Sequence, residues 1–296
     1  MEATTPLLVV DVSARYANGS EVLRRVRVTV ERGEILGLVG QSGSGKSTLA
    51  LAILGLLTVK AGKIAGSVQL KGRELMGLRP REMRELRGRE IALVLQSPLS
   101  ALNPALTIGA QLREAWMAHD PEKHQWLKQA REGLRSVSLP DTDDFLARRP
   151  SQISVGQGQR VLIAMATMHR PALLIADEPT SALDMITQAE ILELFAKLNR
   201  AYGMAILYIS HDLASVSTIC HRIAILHNGE IVESGKTEEL LRAARHPYTR
   251  QLLSSCPHIL AEQPQEQTVE EDFWSQAPAA MLRGVLHSHT YQDCGR

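Results

Sequence analysis

Two periodicities of hydrophobic and polar positions divide the chain. Residues 7–32 and 62–72 switch between apolar and polar at nearly every step, with turn signals among them. That is the pattern of half-buried strands and predicts a small antiparallel sheet. Elsewhere the apolar residues come in short runs: ILGLVG, IALVLQ, ALLIADE, AILYIS and RIAILHNGEIVE. Short β-branched runs bounded by glycine or polar residues predict buried strands. Helical spacing fills the intervals, as in GKSTLALAILGLL and TQAEILELFAKLNRAYG. Strand–helix alternation predicts an α/β domain with a mainly parallel sheet. Ligands bind beyond the carboxyl ends of such strands, so the residues that end the runs are where chemistry is to be sought.

Residues 98–170 carry no strand pattern and read as several helices interrupted by NPALT, LPDTDD and RRPSQ. They predict a helical insertion between two strands of the main sheet. The run RPREMRELRGRE carries both signs of charge and reads as a solvated helix face. The last stretch of the chain is rich in Gln, Glu and Ala with weak periodicity, which predicts a partly flexible appendage.

Composition narrows the class without naming it. The 296 residues are 44% hydrophobic, enough for a real core, and Lys plus Arg (33) nearly balances Asp plus Glu (32). That balance gives no reason to expect a nucleic-acid partner. Cys220, Cys256 and Cys294 are scattered, which argues against a zinc site or a disulfide framework and fits a reducing compartment. The N-terminus lacks the charged and apolar regions of a secretory signal. The longest apolar stretch, LALAILGLLTV, is too short for a bilayer, which needs about 20 residues. Asn-Gly-Ser at Asn18 reads as a turn.

The chemistry is concentrated at a few strand ends. GQSGSGKST, Gly40 to Thr48, follows a predicted strand and opens an apolar helix. It fits the phosphate-binding loop: Gly40, Ser42, Gly43, Ser44 and Gly45 let backbone N–H groups curl around phosphate oxygens. Lys46 reaches the β- and γ-phosphates, Ser47 can ligate Mg²⁺, and Thr48 continues the helix start. ALLIADEP ends in Asp177 and Glu178, a Mg²⁺ partner followed by a candidate general base. His211 after AILYIS and Gln96 ending IALVLQ are unremarkable taken singly. In SQISVGQGQR, Ser154 and Gln157 form an S-x-x-Q capping box, a second helix start suited to an anion, with bulky Val155 inside it.

In this order the pieces resemble the ATP-binding-cassette ATPases, over residues of about 7 to 240. ISVGQ sits where that family has its LSGGQ signature, and LLIADEPTSALD matches its Walker B strand and D-loop. The resemblance implies a P-loop NTPase core with a mainly parallel sheet, a small antiparallel β subdomain and an inserted helical subdomain. It places the nucleotide-binding domain at 1–245, the helical subdomain at 97–170 and a C-terminal extension at 246–296. It implies ATP and Mg²⁺ as cofactors. Gln96 becomes the Q-loop glutamine that touches Mg²⁺, His211 the switch histidine, and Tyr16 the aromatic that stacks on adenine. Ser181 to Asp184 becomes the D-loop, and Ser154, Gly156 and Gln157 the signature contacts. Two such domains pair head to tail in the family, so each chain carries halves of two ATP sites and requires a partner.

Two further segments are similar to those of dipeptide, oligopeptide and nickel importers: LQSPLSALNPALTIGAQLREA and ARHPYTRQLLSSCP, with its His-Pro-Tyr-Thr core. They imply an ATP-hydrolysing subunit that drives uptake of peptides, nickel or a related small solute. The implied partners are a second ATPase subunit, a heterodimer being favoured, two membrane permeases and, indirectly, an extracytoplasmic binding protein. The implied location is peripheral, on the cytoplasmic face of the inner membrane. Many relatives end in a Cys-rich segment that holds an iron–sulfur cluster; this tail has only Cys256 and Cys294, far apart, and that expectation is not carried over. The alternative is a soluble cassette ATPase of a non-transport cytosolic complex. Val155 stands where the signature has its first glycine, which predicts a weakened half-site at the partner's nucleotide.

Overall fold

The computed structural model describes residues 5–57, 62–120 and 125–256. The alternating segments form one antiparallel sheet: β1 (Leu8–Arg15), β2 (Glu21–Val30), β4 (Lys63–Leu70) and β5 (Arg73–Glu74), in the order β2-β1-β4-β5. Along β1 the even-numbered residues Leu8, Val10, Val12 and Ala14 are buried, as the period-two pattern requires.

The continuous apolar runs form the second sheet: β3 (Ile35–Val39), β6 (Ile91–Val94), β7 (Leu173–Asp177), β8 (Ala205–Ser210), β9 (Arg222–His227) and β10 (Glu230–Lys236). Its order is β10-β9-β3-β8-β7-β6. The pairs β3–β8, β3–β9, β7–β8 and β6–β7 are parallel, while β10 returns antiparallel to β9. Asn228 and Gly229 make that turn, both with positive φ, as a two-residue hairpin demands. Both faces of this sheet are covered, which is why its strands read as unbroken apolar runs. Leu174, Ala176, Ile206 and Tyr208 face one core; Leu173, Ile175, Leu207 and Ile209 face the other.

The second core lies between the two sheets and includes helix α1 (Lys46–Ile53) and Met83 of α2 (Pro80–Leu86). The first core holds α8 (Met185–Tyr202), α9 (Leu213–Ile219) and the helices between β6 and β7. Those are α3 (Pro98–Ala101), α4 (Ile108–Met117), α5 (Trp126–Ser136), α6 (Asp143–Ala147) and α7 (Val155–Thr167). Thr107, Thr142 and Ser154 cap α4, α6 and α7 by accepting a backbone N–H from the first turn. Helices α10 (Thr237–Arg242) and α11 (Pro247–Ser254) follow the sheet. Tyr248 and Leu253 of α11 are buried in the first core, so the start of the extension packs onto the domain; the extension beyond Cys256 lies outside the described residues. Among the described residues no helix is long and apolar enough to cross a membrane.

Candidate functional site

All of β3 is buried, and the chain leaves it at Gly40. A Cβ there would lie 2.2 Å from the Leu226 carbonyl oxygen, so the close approach of β9 demands glycine. Gly43 (φ 81°) and Gly45 (φ 109°) occupy the left-handed region open to glycine. Gly45 is the N-cap of α1; no side chain caps it, and the first turn holds no acidic residue. The first N–H groups of α1 thus offer positive potential to an anion. The Ser44 hydroxyl beneath the loop is buried without a hydrogen-bond partner.

Lys46 is only 5% exposed. Its Nζ donates to the carbonyls of Gly40 at 2.6 Å and Gln41 at 3.1 Å, and lies 3.6 Å from Glu178 Oε1. Burial pulls its pKa down, against the opposing charges of Glu178 and Asp177. The Tyr16 hydroxyl, beyond the end of β1, pairs with Thr48 Oγ1 at 3.1 Å, which fixes the ring beside the loop.

At the end of β7, Glu178 has φ 48°, a left-handed conformation costly for a side chain that is not glycine. Its N–H donates to the Ile209 carbonyl at 2.9 Å, which holds that conformation against β8. Its carboxylate gathers groups from other strand ends. Gln96 Nε2, after β6, donates to Oε2 at 3.3 Å, and His211 Nδ1, after β8, lies 3.3 Å from the same oxygen. Gln96 Nε2 also donates to Ser181 Oγ at 3.0 Å, which in turn donates to the Glu178 carbonyl at 3.1 Å. Glu178 borders two cavities. One, of about 440 Å³, is lined by Tyr16, Val22, the phosphate loop and Gln96. The other, of about 270 Å³, is lined by Ser181, Ser210, His211 and Asp212.

The uncapped glycine loop, the buried ammonium and the partnerless Ser44 hydroxyl fit a polyphosphate. Among the described residues no three His, Cys, Asp or Glu form a metal cluster. Magnesium takes one or two protein oxygens and completes its shell with phosphate and water. Ser47 at the start of α1 and Asp177 at the end of β7 carry oxygens of the kind it takes.

The remaining expected residues are elsewhere. Ser154 Oγ accepts from Gln157 N–H at 3.2 Å while Gln157 Oε1 accepts from Ser154 N–H at 3.1 Å, the predicted capping box. Val155 is the first helical residue and is exposed. A Cβ on Gly156 would meet Thr187 Cγ2 of α8 at 2.7 Å. Asp184 caps α8, accepting from the N–H groups of Ile186 and Thr187 and from Thr187 Oγ1. These bonds, the Thr187 N–H first, hold its carboxyl below the usual range. Ser154, Gly156, Gln157 and Asp184 line neither cavity. The expected residues therefore form a convergent group around Glu178 and a separate group, at the starts of α7 and α8, with Ser154 and Asp184 open to solvent. The sequence reading omitted Val22, whose strand alternation marks only a sheet residue, and Tyr248, which reaches the loop from 207 positions away.

Comparisons with known proteins give the family. The family model for ABC transporter matches residues 23–181, and that for the oligopeptide/dipeptide transporter C-terminal region matches 232–277. The dipeptide transport ATP-binding protein DppD of Escherichia coli (strain K12) is 41% identical over 258 residues, covering 86% of this chain and 79% of DppD. The glutathione import ATP-binding protein GsiA of Salmonella typhimurium is 40% identical over 246 residues; these span 81% of this chain but 40% of GsiA. Among solved structures, the dimeric post-hydrolysis state of the ATP-binding cassette MJ0796 bound to ADP and Pi matches with a TM-score of 0.67 at 28% identity, over 78% of this chain and 98% of that one. The chain thus belongs to the ABC transporter family, as one of its ATPase subunits.

Proposed function

We propose that this chain hydrolyses ATP to drive a membrane importer for peptides or a related small solute, nickel included. The observation that carries the reading is the convergence of Lys46, Gln96 and His211 on Glu178, beside a helix start with open N–H groups. The peptide-like cargo is supported by the relatives' roles in dipeptide transport and glutathione import and by the matched C-terminal region.

Bound MgATP would supply the transferable phosphoryl group and the counter-charge for it. The backbone of Gly40, Ser42, Gly43, Ser44 and Gly45 holds the phosphates, and Lys46 is the cation offered to them. Ser47, Asp177 and Gln96 would hold the metal, and Tyr16 would pack on the base. Glu178 orients the attacking water and takes its proton, while His211 adds a donor to the developing charge. Catalysis is then chiefly positioning and charge stabilisation.

Ser154, Gly156, Gln157 and Asp184, which stand apart from this chain's own cleft, complete the site of a second ATPase subunit. A heterodimer beneath two permeases, fed indirectly by an extracytoplasmic binding protein, fits a chain whose Val155 departs from the signature glycine. The near balance of basic and acidic residues gives no reason to expect a nucleic-acid partner. The assembly sits peripherally on the cytoplasmic face of the inner membrane. Glu178→Gln tests the site: ATP binding is kept and hydrolysis stalls, whereas unchanged turnover refutes the assigned base.

A further inference from the structure

The phosphate loop is braced from outside the cleft as well as from within. Gly229 N–H donates to the Ser44 carbonyl at 3.2 Å, and the Leu226 carbonyl lies against Gly40. The third brace comes from the C-terminal extension, where the Tyr248 hydroxyl accepts the N–H of Gln41 at 3.0 Å.

That hydroxyl is held in place by several independent contacts. The Tyr248 ring stacks on His227 with centroids 3.8 Å apart, and the residue is buried. His246 caps α11, its Nδ1 accepting the Tyr248 N–H at 3.2 Å. The N–H groups of Arg245 and His246 donate to the Glu233 carboxylate at 2.8 and 3.1 Å, which ties the segment to β10.

The bond falls on a consequential peptide. The amide plane joining Gly40 to Gln41 has its N–H on Tyr248 and its carbonyl oxygen on Lys46 Nζ, at 2.6 Å. A peptide unit is rigid and planar, so fixing one end fixes the other. Tyr248 thereby sets the orientation of the carbonyl that seats the buried ammonium.

We propose that Tyr248 is a positioning residue of the phosphate loop, through which the C-terminal extension sets the affinity for the nucleotide's phosphates. The inference rests on the reading of this loop as the ATP site. It makes the extension a means of adjusting nucleotide affinity from outside the cleft, because any displacement of α11 moves the hydroxyl.

The test is Tyr248→Phe in the full chain, which keeps the ring on His227 and removes only the oxygen. Titration with a fluorescent ATP analogue plus Mg²⁺ should give a Kd about five-fold higher, the effect of one neutral hydrogen bond. In the assembled transporter KM for ATP should rise in step while kcat at saturating ATP holds. Backbone amides of the peptide spanning residue 41 should exchange hydrogen faster, with the nucleotide-free melting temperature lowered by no more than the loss of one hydrogen bond allows. His227→Leu, which removes the ring stack and leaves the hydroxyl, should shift Kd the same way. A Kd and amide exchange equal to wild type in Tyr248→Phe overturn the proposal, as does a lowered melting temperature with Kd unchanged. Lys46→Ala measured alongside separates the two readings: if it binds the analogue like wild type, the nucleotide site itself has been misassigned.

Discussion

Glu178 keeps a strained backbone because its carboxylate is worth more there than a relaxed φ elsewhere. Its φ of 48° turns the side chain toward Lys46, Gln96 and His211 instead of continuing β7. Such strain persists only where the surroundings over-determine it, here through the N–H bond to Ile209. Gly40 is constrained by contact with backbone: Gly40→Ala pushes a methyl against the Leu226 carbonyl. We expect it to cost about 2 kcal/mol, read as a melting temperature lower by roughly 4–8 °C. Val155 is exposed at the start of α7, so Val155→Gly should leave folding nearly unchanged. In the assembled complex it should change ATPase activity and its cooperativity; if neither moves, the proposed asymmetry between the two sites fails. Lys46, Asp177 and Glu178 were legible in the sequence because each stands at the carboxyl end of an apolar run or in the loop after it; Gln96 and His211, unremarkable singly, became legible only through the family resemblance. Their convergence on one carboxylate was not legible, since it depends on β6, β7, β8 and β3 lying next to each other in the sheet.

Helices were legible where their ends carry chemistry. Ser154 is a cap in the sequence and a cap in the fold, whereas Thr107 and Thr142, read only as parts of the interruptions NPALT and LPDTDD, show their caps in the fold alone; Gly203 ends α8 in a left-handed conformation. Less legible were the supports between elements. Arg87 donates to the carbonyls of Leu54 and Gly55, closing the end of α1 from a segment far along the chain. Arg87→Leu should therefore destabilise by about 1–3 kcal/mol in a thermal melt, through the carbonyls left without a donor. Where the helical insertion meets the turn before β6, His119 stands edge-on to His169, which stacks on Trp116. Burial first, and then the neighbouring His169, lowers the His119 pKa below 6.5. Its contribution is therefore fully present above pH 6.5 and is lost as the pH falls from there through the depressed folded value. Melting temperatures measured across this window should fall less for His119→Asn than for wild type; parallel curves would contradict the assignment.

At the scale of the whole molecule, one chain carries two helix starts, read from the sequence as suited to anions, that do not share a cavity. The start of α1 belongs to the cleft around Glu178, and the start of α7 lies apart from it. On the proposed reading the second serves a partner's nucleotide, so neither site works without association. The exposed apolar pair Met185 and Ile186, beside Asp184, adds surface for that association. The α/β architecture was legible from strand–helix alternation alone. The cargo was not, because the residues that select it belong to other subunits of the proposed importer. The most direct measurement is ATP turnover by the complex purified from its own membranes through a tag on this chain, wild type against Glu178→Gln, with ATP binding measured on the same samples. The account predicts binding retained and turnover lower by about 10²–10⁴-fold. Equal turnover in the two samples would contradict it.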